Sequence, residues 1–230
     1  MSLAVRACCD EQMDDPALDP ADYRRVLHDL ARVNNWTLAA RPTHAFLERA
    51  TAGRSSFSLL DVGFGQGDML RRIARWARRR GIRADLMGVD LNPRSEAAAK
   101  AATPADQNIA YLTGDYRNLE GPFDFVISSL VAHHMTSEEL GEFIRYMEAR
   151  CRSGWLINDL HRHRLSHLGY PLLARLLGVH RIVREDGTLS IARSFRPAEW
   201  QSILAHAGIA PGAARIVRHF PFRLCVERQF

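Results

Sequence analysis

Leu59-Leu60-Asp61-Val62-Gly63-Phe64-Gly65-Gln66-Gly67-Asp68-Met69-Leu70 decides how the rest of this 230-residue chain is read. Ser58 to Val62 is a short apolar run suited to a strand covered on both faces. Gly63, Gly65 and Gly67 follow, forming a turn that can take backbone angles closed to residues with a Cβ. Met69 and Leu70 then begin an apolar stripe at helical spacing, continued by Ile73, Trp76 and Ala77. Strand, glycine turn and helix in that order bring a helix N-terminus, with its unpaired N–H groups, beside any ligand the turn admits. Several nucleotide-binding families share such glycine spacing. Asp61 ahead of the first glycine narrows the choice, as does Asp68 where the dinucleotide fingerprint expects a third small residue.

The pattern of strand followed by polar turn recurs downstream. Ala84 to Asp90 is a second strand ending in an acid, and Asn92-Pro93 supplies a cap and first-turn proline for the next helix. A carboxylate at that strand end offers two acceptors to the adjacent hydroxyls of a ribose. Ile109 to Thr113 is a third strand, followed by Gly114-Asp115-Tyr116. Phe123 to Leu130 is a fourth, with His133 and His134 in the loop behind it. A Thr136-to-Glu139 capping box then opens a helix. Gly154 to Asp159 is a fifth strand, and Ile209 to Val217 and Phe220 to Val226 close the set. The fold class is α/β: a Rossmann-like, doubly wound, mostly parallel seven-stranded sheet with an antiparallel edge strand. Helical periodicity over Tyr23 to Val33, and again after Asn35, predicts an N-terminal helical cap. Its junction at Arg32, Asn34, Asn35 and Trp36 either reaches the ligand or is a solvated helix corner. Residues 1–53 are then leader and cap, the first 18 or so forming a loose leader. Residues 54–230 are the ligand-binding domain, with 160–195 as a lid or substrate region. Within that lid Asp186-Gly187 reads as a turn.

Asp-Val-Gly-x-Gly-x-Gly over Asp61 to Gly67 resembles the first motif of class I S-adenosylmethionine-dependent methyltransferases. Asp-Phe-Val-Ile-Ser-Ser-Leu-x-x-His-His over Asp124 to His134 is similar to the fourth-strand motif of their small-molecule members, including those of ubiquinone and menaquinone biosynthesis. The resemblance covers roughly residues 57–159. It implies S-adenosylmethionine as cofactor, with Gly63, Phe64, Gly65 and Gly67 at its methionyl part. Asp61 would orient its amino group, Asp90 and the adjacent Leu91 would hold the ribose side, Asp115 would accept from the adenine with Tyr116 flanking the ring, and Ser129 would lie near the amino-acid end. Phe64 departs from the family's usual small residue. His133 and His134 follow the fourth strand on the rim that faces the donor methyl in this fold. Imidazole is the side chain best poised to take a phenolic proton at neutral pH, so one of the two is the expected base, unless both only pack.

The expected reaction is methyl transfer to a small apolar or aromatic molecule, with oxygen favoured as acceptor atom. A non-catalytic S-adenosylmethionine-fold binding protein and an NAD-dependent oxidoreductase are the alternatives, since Asp90 suits any adenosine. Nucleic-acid methylation ranks lower, because base-modifying relatives place an Asn/Asp-Pro-Pro-aromatic clamp after the fourth strand and this chain has no proline there. The net charge of +5 permits nucleic-acid or membrane attraction without showing it. Nearly all the positive charge is arginine, Lys100 being the only lysine. Arg71, Arg72, Arg75 and Arg78 to Arg80 read as the solvated side of a sheet-covering helix, with no interleaved aromatics for base stacking. Cys8, Cys9, Cys151 and Cys225 have neither metal-ligand nor disulfide spacing, and His161, His163 and His167 mix strand and helix geometry without a supporting acid, so no metal is expected. The basic-then-apolar run from His161 to Leu177 suits a lid over an apolar pocket, and equally a peripheral membrane or lipid-like contact. No run reaches the ~20 apolar residues of a membrane span, and the acidic N-terminal stretch lacks a signal pattern, so the cytoplasm is the expected compartment.

Overall fold

In the computed structural model, which describes residues 3–15 and 17–230, two helices, α1 (Pro20–Trp36) and α2 (Arg41–Ala50), precede β1 (Ser56–Val62). Asp19 starts α1 by accepting the N–H groups of Ala21 and Asp22 at 2.7 and 3.3 Å, with Pro20 in the first turn. The helix runs through Trp36, so the expected junction lies later, at residues 37–40, where Leu38 takes a left-handed backbone (φ 52°). Beyond β1, helices and strands alternate: α3 (Asp68–Arg80), β2 (Arg83–Asp90), α4 (Pro93–Ala102), β3 (Ile109–Thr113), β4 (Phe123–Ser129), α5 (Ser137–Arg150) and β5 (Cys151–Leu160). Three helices follow, α6 (Arg164–Leu176), α7 (Arg181–Arg193) and α8 (Pro197–His206), then β6 (Arg215–His219) and β7 (Arg223–Gln229). The capping box at α5 is formed in both directions, Thr136 accepting from Glu139 N–H and Glu139 from Thr136 N–H.

The strands pair in the order β3-β2-β1-β4-β5-β7-β6. The first five are parallel, and antiparallel pairing is confined to one side of the sheet, where β7 runs against both β5 and β6. Strand order reverses between β1 and β4, and it is outside the carboxyl ends at such a switch point that open α/β sheets bind ligands. Both faces are covered, and the alternation of each central strand shows it. Phe57 and Leu59 point into a core with Phe46, Leu70, Ile73 and Phe125, whereas Leu60 and Val62 point into one with Phe143, Ile144, Trp155 and Trp200. The arginines of α3 lie off this buried stripe, several in surface ion pairs such as Arg78–Asp106 and Arg80–Glu48.

Two expectations are corrected. Residues 3–15 are not a loose leader: Ala7 N–H donates to Ala192 O at 3.1 Å, Arg6 bonds the carbonyls of His133 and Met135 at 2.6 Å each, and Glu11 is only 5% exposed. Asp186-Gly187 is no turn but the middle of α7. The aspartate carboxylate accepts the N–H groups of Gln12 and Met13 at 3.0 and 2.9 Å, fastening the N-terminal segment. The glycine makes room for Tyr170 of α6, whose hydroxyl donates to Val183 O at 2.8 Å. Both residue types favour turns locally, and here tertiary contacts outweigh that preference. A Cβ on Gly187 would stand 2.2 Å from Tyr170 Oη. Gly187→Ala is therefore expected to separate α6 from α7 and cost about 1–3 kcal/mol despite alanine's better helix propensity, read from urea unfolding. Unchanged stability would show that the tyrosine has other room.

Candidate active site

The glycine turn has the backbone its sequence demands, with φ of 77°, 55° and 73° at Gly63, Gly65 and Gly67. Substitution would fail for different reasons along it. A Cβ on Gly63 would meet Val131 at 2.3 Å and one on Gly67 would meet Tyr111 at 2.6 Å, while Gly65 faces open space. Gly67 is also the N-cap of α3, so no side chain occupies the helix's first N–H groups. Asp90, at the end of β2, grips this turn: one carboxylate oxygen accepts Gly65 N–H and the other Asn92 N–H, both at 2.8 Å. Each oxygen keeps a lone pair for a further donor.

A cavity of about 760 Å³ opens from the turn, within the range of small-molecule sites. Asp61, Gly63, Phe64, Gly65, Asp90, Ser129, His133 and His134 all line it, together with Asn34, Asn35 and Trp36 of the cap. The Phe64 ring is nonetheless 4% exposed and packs down on Tyr111 at 5.0 Å, filling the space over Gly88. Its bulk is in the core. Gly67 braces the turn from outside the lining. Leu91 is exposed, also outside the lining. Asp115 and Tyr116 are likewise not brought to the cavity. Asp115 caps the short turn after β3 and ion-pairs with Arg117 at 2.5 Å, while the Tyr116 ring stacks edge-on against Phe143 and Tyr146. Among the described residues the non-glycine positions with left-handed backbone are Leu38 (φ 52°), Leu130 (φ 62°) and Phe222 (φ 50°), and all three line this cavity. Backbone strain collects at functional sites because surrounding structure must impose it.

Polar atoms wait unpaired in the wall. Asp61 is fully buried and its Oδ1 has no partner. Burial, with the charges of Asp68 and Asp90 adding to it, raises its pKa well above the usual carboxylate range. The Ser129 hydroxyl is equally buried and unpaired. An orphaned acceptor, an open glycine turn and an uncapped helix N-terminus fit the ammonium and carboxylate of an amino-acid moiety, and Asp90 beside them fits a diol.

Across the cavity His133 is buried between carboxylates. Asp159, at the end of β5, takes its ring Nδ1 at 2.7 Å and its backbone N–H at 2.7 Å, and Glu11 stands 3.5 Å from Nε2. Burial alone would lower this imidazole's pKa. Asp159 and Glu11 outweigh burial and hold it up at about 9, while His133 draws both carboxyls below their usual range against the pull of their own burial. His133 is thus an imidazolium at neutral pH. The role of base does not fit it. His134 is the more exposed ring, 3.8 Å from Glu11 and 3.4 Å from Asp14. Donor atoms of Glu11, His133 and His134 lie within 4.8 Å of one another, and a cation binding them would have to displace the His133 proton. His163 instead stacks on Phe222, with the His161 ring tilted against it.

Glu11, Asp159 and Arg223 are site residues that the motif reading passed over. Asp159 carried the same signal as Asp90, an acid closing a parallel strand; Glu11 carried none.

Residues 59–154 match the family described as a methyltransferase domain. Among solved structures, the plantazolicin methyltransferase BpumL with a triazolic desmethyl analogue and S-adenosylhomocysteine superposes with a TM-score of 0.67 at 17% identity, over 92% of this chain and 91% of that one. Magnesium protoporphyrin IX methyltransferase from Synechocystis PCC 6803 with S-adenosylhomocysteine gives 0.56 at 18% identity, over 94% and 89%. No protein of curated function matches the chain by sequence. Residues 59–154 thus match a methyltransferase domain, and the fold around them is shared with these solved methyltransferases. The sheet agrees in detail, since the dinucleotide enzymes' order 3-2-1-4-5-6 lacks the reversed β7 that separates β5 from β6 here. Among the described residues no helix is long and apolar enough to cross a membrane.

The His133 pairing makes stability pH-dependent. Its folded pKa lies above the unfolded value of about 6.5, so its stabilisation is complete below that value and is lost as pH rises through about 9. The melting-temperature gap between wild type and Glu11→Gln should therefore narrow from pH 7 to pH 10. A constant gap would mean that His133 carries no charge.

Proposed function

We propose that this chain transfers the methyl group of S-adenosylmethionine to a small apolar or aromatic acceptor, on oxygen. The observation that carries this reading is the unpartnered, fully buried Asp61 carboxylate beside an open glycine turn. Bound there, S-adenosylmethionine supplies an electrophilic methyl; as the acceptor's oxygen–carbon bond forms, the carbon–sulfur bond breaks and S-adenosylhomocysteine is left. In this reading Asp61 receives the amino group, the first N–H groups of α3 and Ser129 face the carboxylate, and Asp90 takes the ribose hydroxyls while keeping the turn in place. Alignment of donor and acceptor can remove ~7–11 kcal/mol of such a barrier, so the protein's chief task is positioning. His134 accepts the acceptor's proton at a ring nitrogen. His133, locked by Asp159, positions the backbone of that loop.

Residues 160–195 form the acceptor-side lid and 1–53 the cap that closes over it. Leu165 and Leu173 of α6 line the cavity, and Leu165, Leu168, Leu172 and Leu176 are exposed along that helix. Such a surface supports an apolar acceptor, delivered as a lipid-like molecule.

Titration with S-adenosylhomocysteine in a calorimeter tests the cofactor assignment. The wild type should bind it, and NAD should not compete. Asp61→Asn should raise the melting temperature at neutral pH, because it removes a buried ionisable group, and should weaken binding about tenfold or more. Binding left intact by Asp61→Asn would remove the carboxylate from the site. With radiolabelled S-adenosylmethionine and a panel of alkylphenols, His134→Ala should lower kcat about 10²-fold or more with S-adenosylhomocysteine affinity unchanged. Full turnover in that variant would leave catalysis to alignment alone.

A further inference from the structure

Arg223 opens β7, and the antiparallel register pairs it with Leu160. Two residues further along each strand, Asn158 faces Cys225, and Asn158 in turn faces Ser129 of β4. Alternation puts Arg223 on the same face as Cys225, one step beyond the row that ends in Ser129. It therefore stands at the carboxyl edge of the sheet, in the wall of the cavity.

Its environment does not satisfy it. Arg223 is 2% exposed, and its Nε and Nη1 have no hydrogen-bond partner. Nη2 has a long contact of 3.3 Å to the Thr37 hydroxyl. The other arginine in this wall with a resolved partner, Arg72, is paired with Asp68 and Asn35. Its strand partner Leu160 and its chain neighbours Pro221 and Phe222 give the lining beside it an apolar character, and Phe222 holds a left-handed backbone. Burial lowers the guanidinium's pKa, with the charge of Asp159 opposing, yet arginine does not shed its proton in proteins. A buried cation with no carboxylate hydrogen-bonded to it is costly, and an acidic ligand would complete it.

Resting on the methyltransferase reading, we propose that the acceptor is an apolar acid whose carboxylate is held by Arg223 through charge-assisted hydrogen bonds, anchoring the molecule so that its reacting oxygen meets the donor methyl. The guanidinium matches a carboxylate in planarity and charge. The apolar lining around it then selects for the hydrocarbon part of the same molecule. Arg223 acts as a specificity residue and touches no reacting atom.

The probes are 4-hexylbenzoate and its neutral near-isostere 4-hexylbenzamide, titrated calorimetrically into the full chain loaded with S-adenosylhomocysteine. The acid should bind about tenfold or more tightly than the amide to the wild type, and that preference should shrink below about threefold in Arg223→Gln. Arg223→Lys, which keeps the charge without the fork, should retain part of it. S-adenosylhomocysteine affinity in the variants reports that they are folded. Equal binding of acid and amide, binding of neither, or a preference that survives Arg223→Gln would overturn the proposal. The same pair titrated into unloaded wild type separates the two readings. Failure to bind S-adenosylhomocysteine would sink the cofactor assignment, whereas loss of acid preference alone would sink only the role of Arg223.

Discussion

Asp90 ties the second strand to the turn that follows the first, and the site depends on that tie. Its two oxygens hold the N–H groups of Gly65 and Asn92, so the glycine turn and the start of α4 share one anchor. Gly63 N–H donates to Val89 O at 2.8 Å and completes the link. Because the turn's conformation is imposed this way, Gly65 can remain open to solvent without collapsing onto the sheet. Because the same carboxylate lines the cavity, a change at Asp90 would disturb the turn as well as any ligand contact.

Opposite this rigid half the cavity is closed by parts that come from far along the chain. The N-terminal segment, the junction between α1 and α2, the loop after β4 and the start of β7 each contribute a face. They are fastened by polar contacts. Arg6 and Arg193 both bond the His133 carbonyl, and Arg193 also takes Cys9 O at 2.9 Å. One half of the site is set by the sheet, and the other by a mesh of arginines and carboxylates. Strained backbone at Leu38, Leu130 and Phe222 lies where elements of this mesh meet the cavity.

What the sequence made legible is local in origin. The glycine turn, the capping box at Thr136, the Asn92 cap and the strand-end acid Asp90 all depend on residues a few positions apart. Asp115 is engaged within the same range by an arginine two residues later, and it does not line the cavity. Glu11 and Arg223 were invisible for a different reason. Their meaning comes from groups more than a hundred residues away, such as His133 against Glu11, and neither sits in a local pattern that marks it. Asp186-Gly187 shows how such contacts override a strong local signal: an aspartate meets the N-terminal backbone and a glycine yields to Tyr170.

The segment bearing Arg6 and Glu11 also bears on how the molecule is made. Its partners at His133, Ser190 and Arg193 lie between 127 and 187 residues further along the chain. Loops of that length close late, since their entropy is repaid only when the distant surface exists. The N-terminal wall of the cavity therefore takes its place only after α7 has been synthesised.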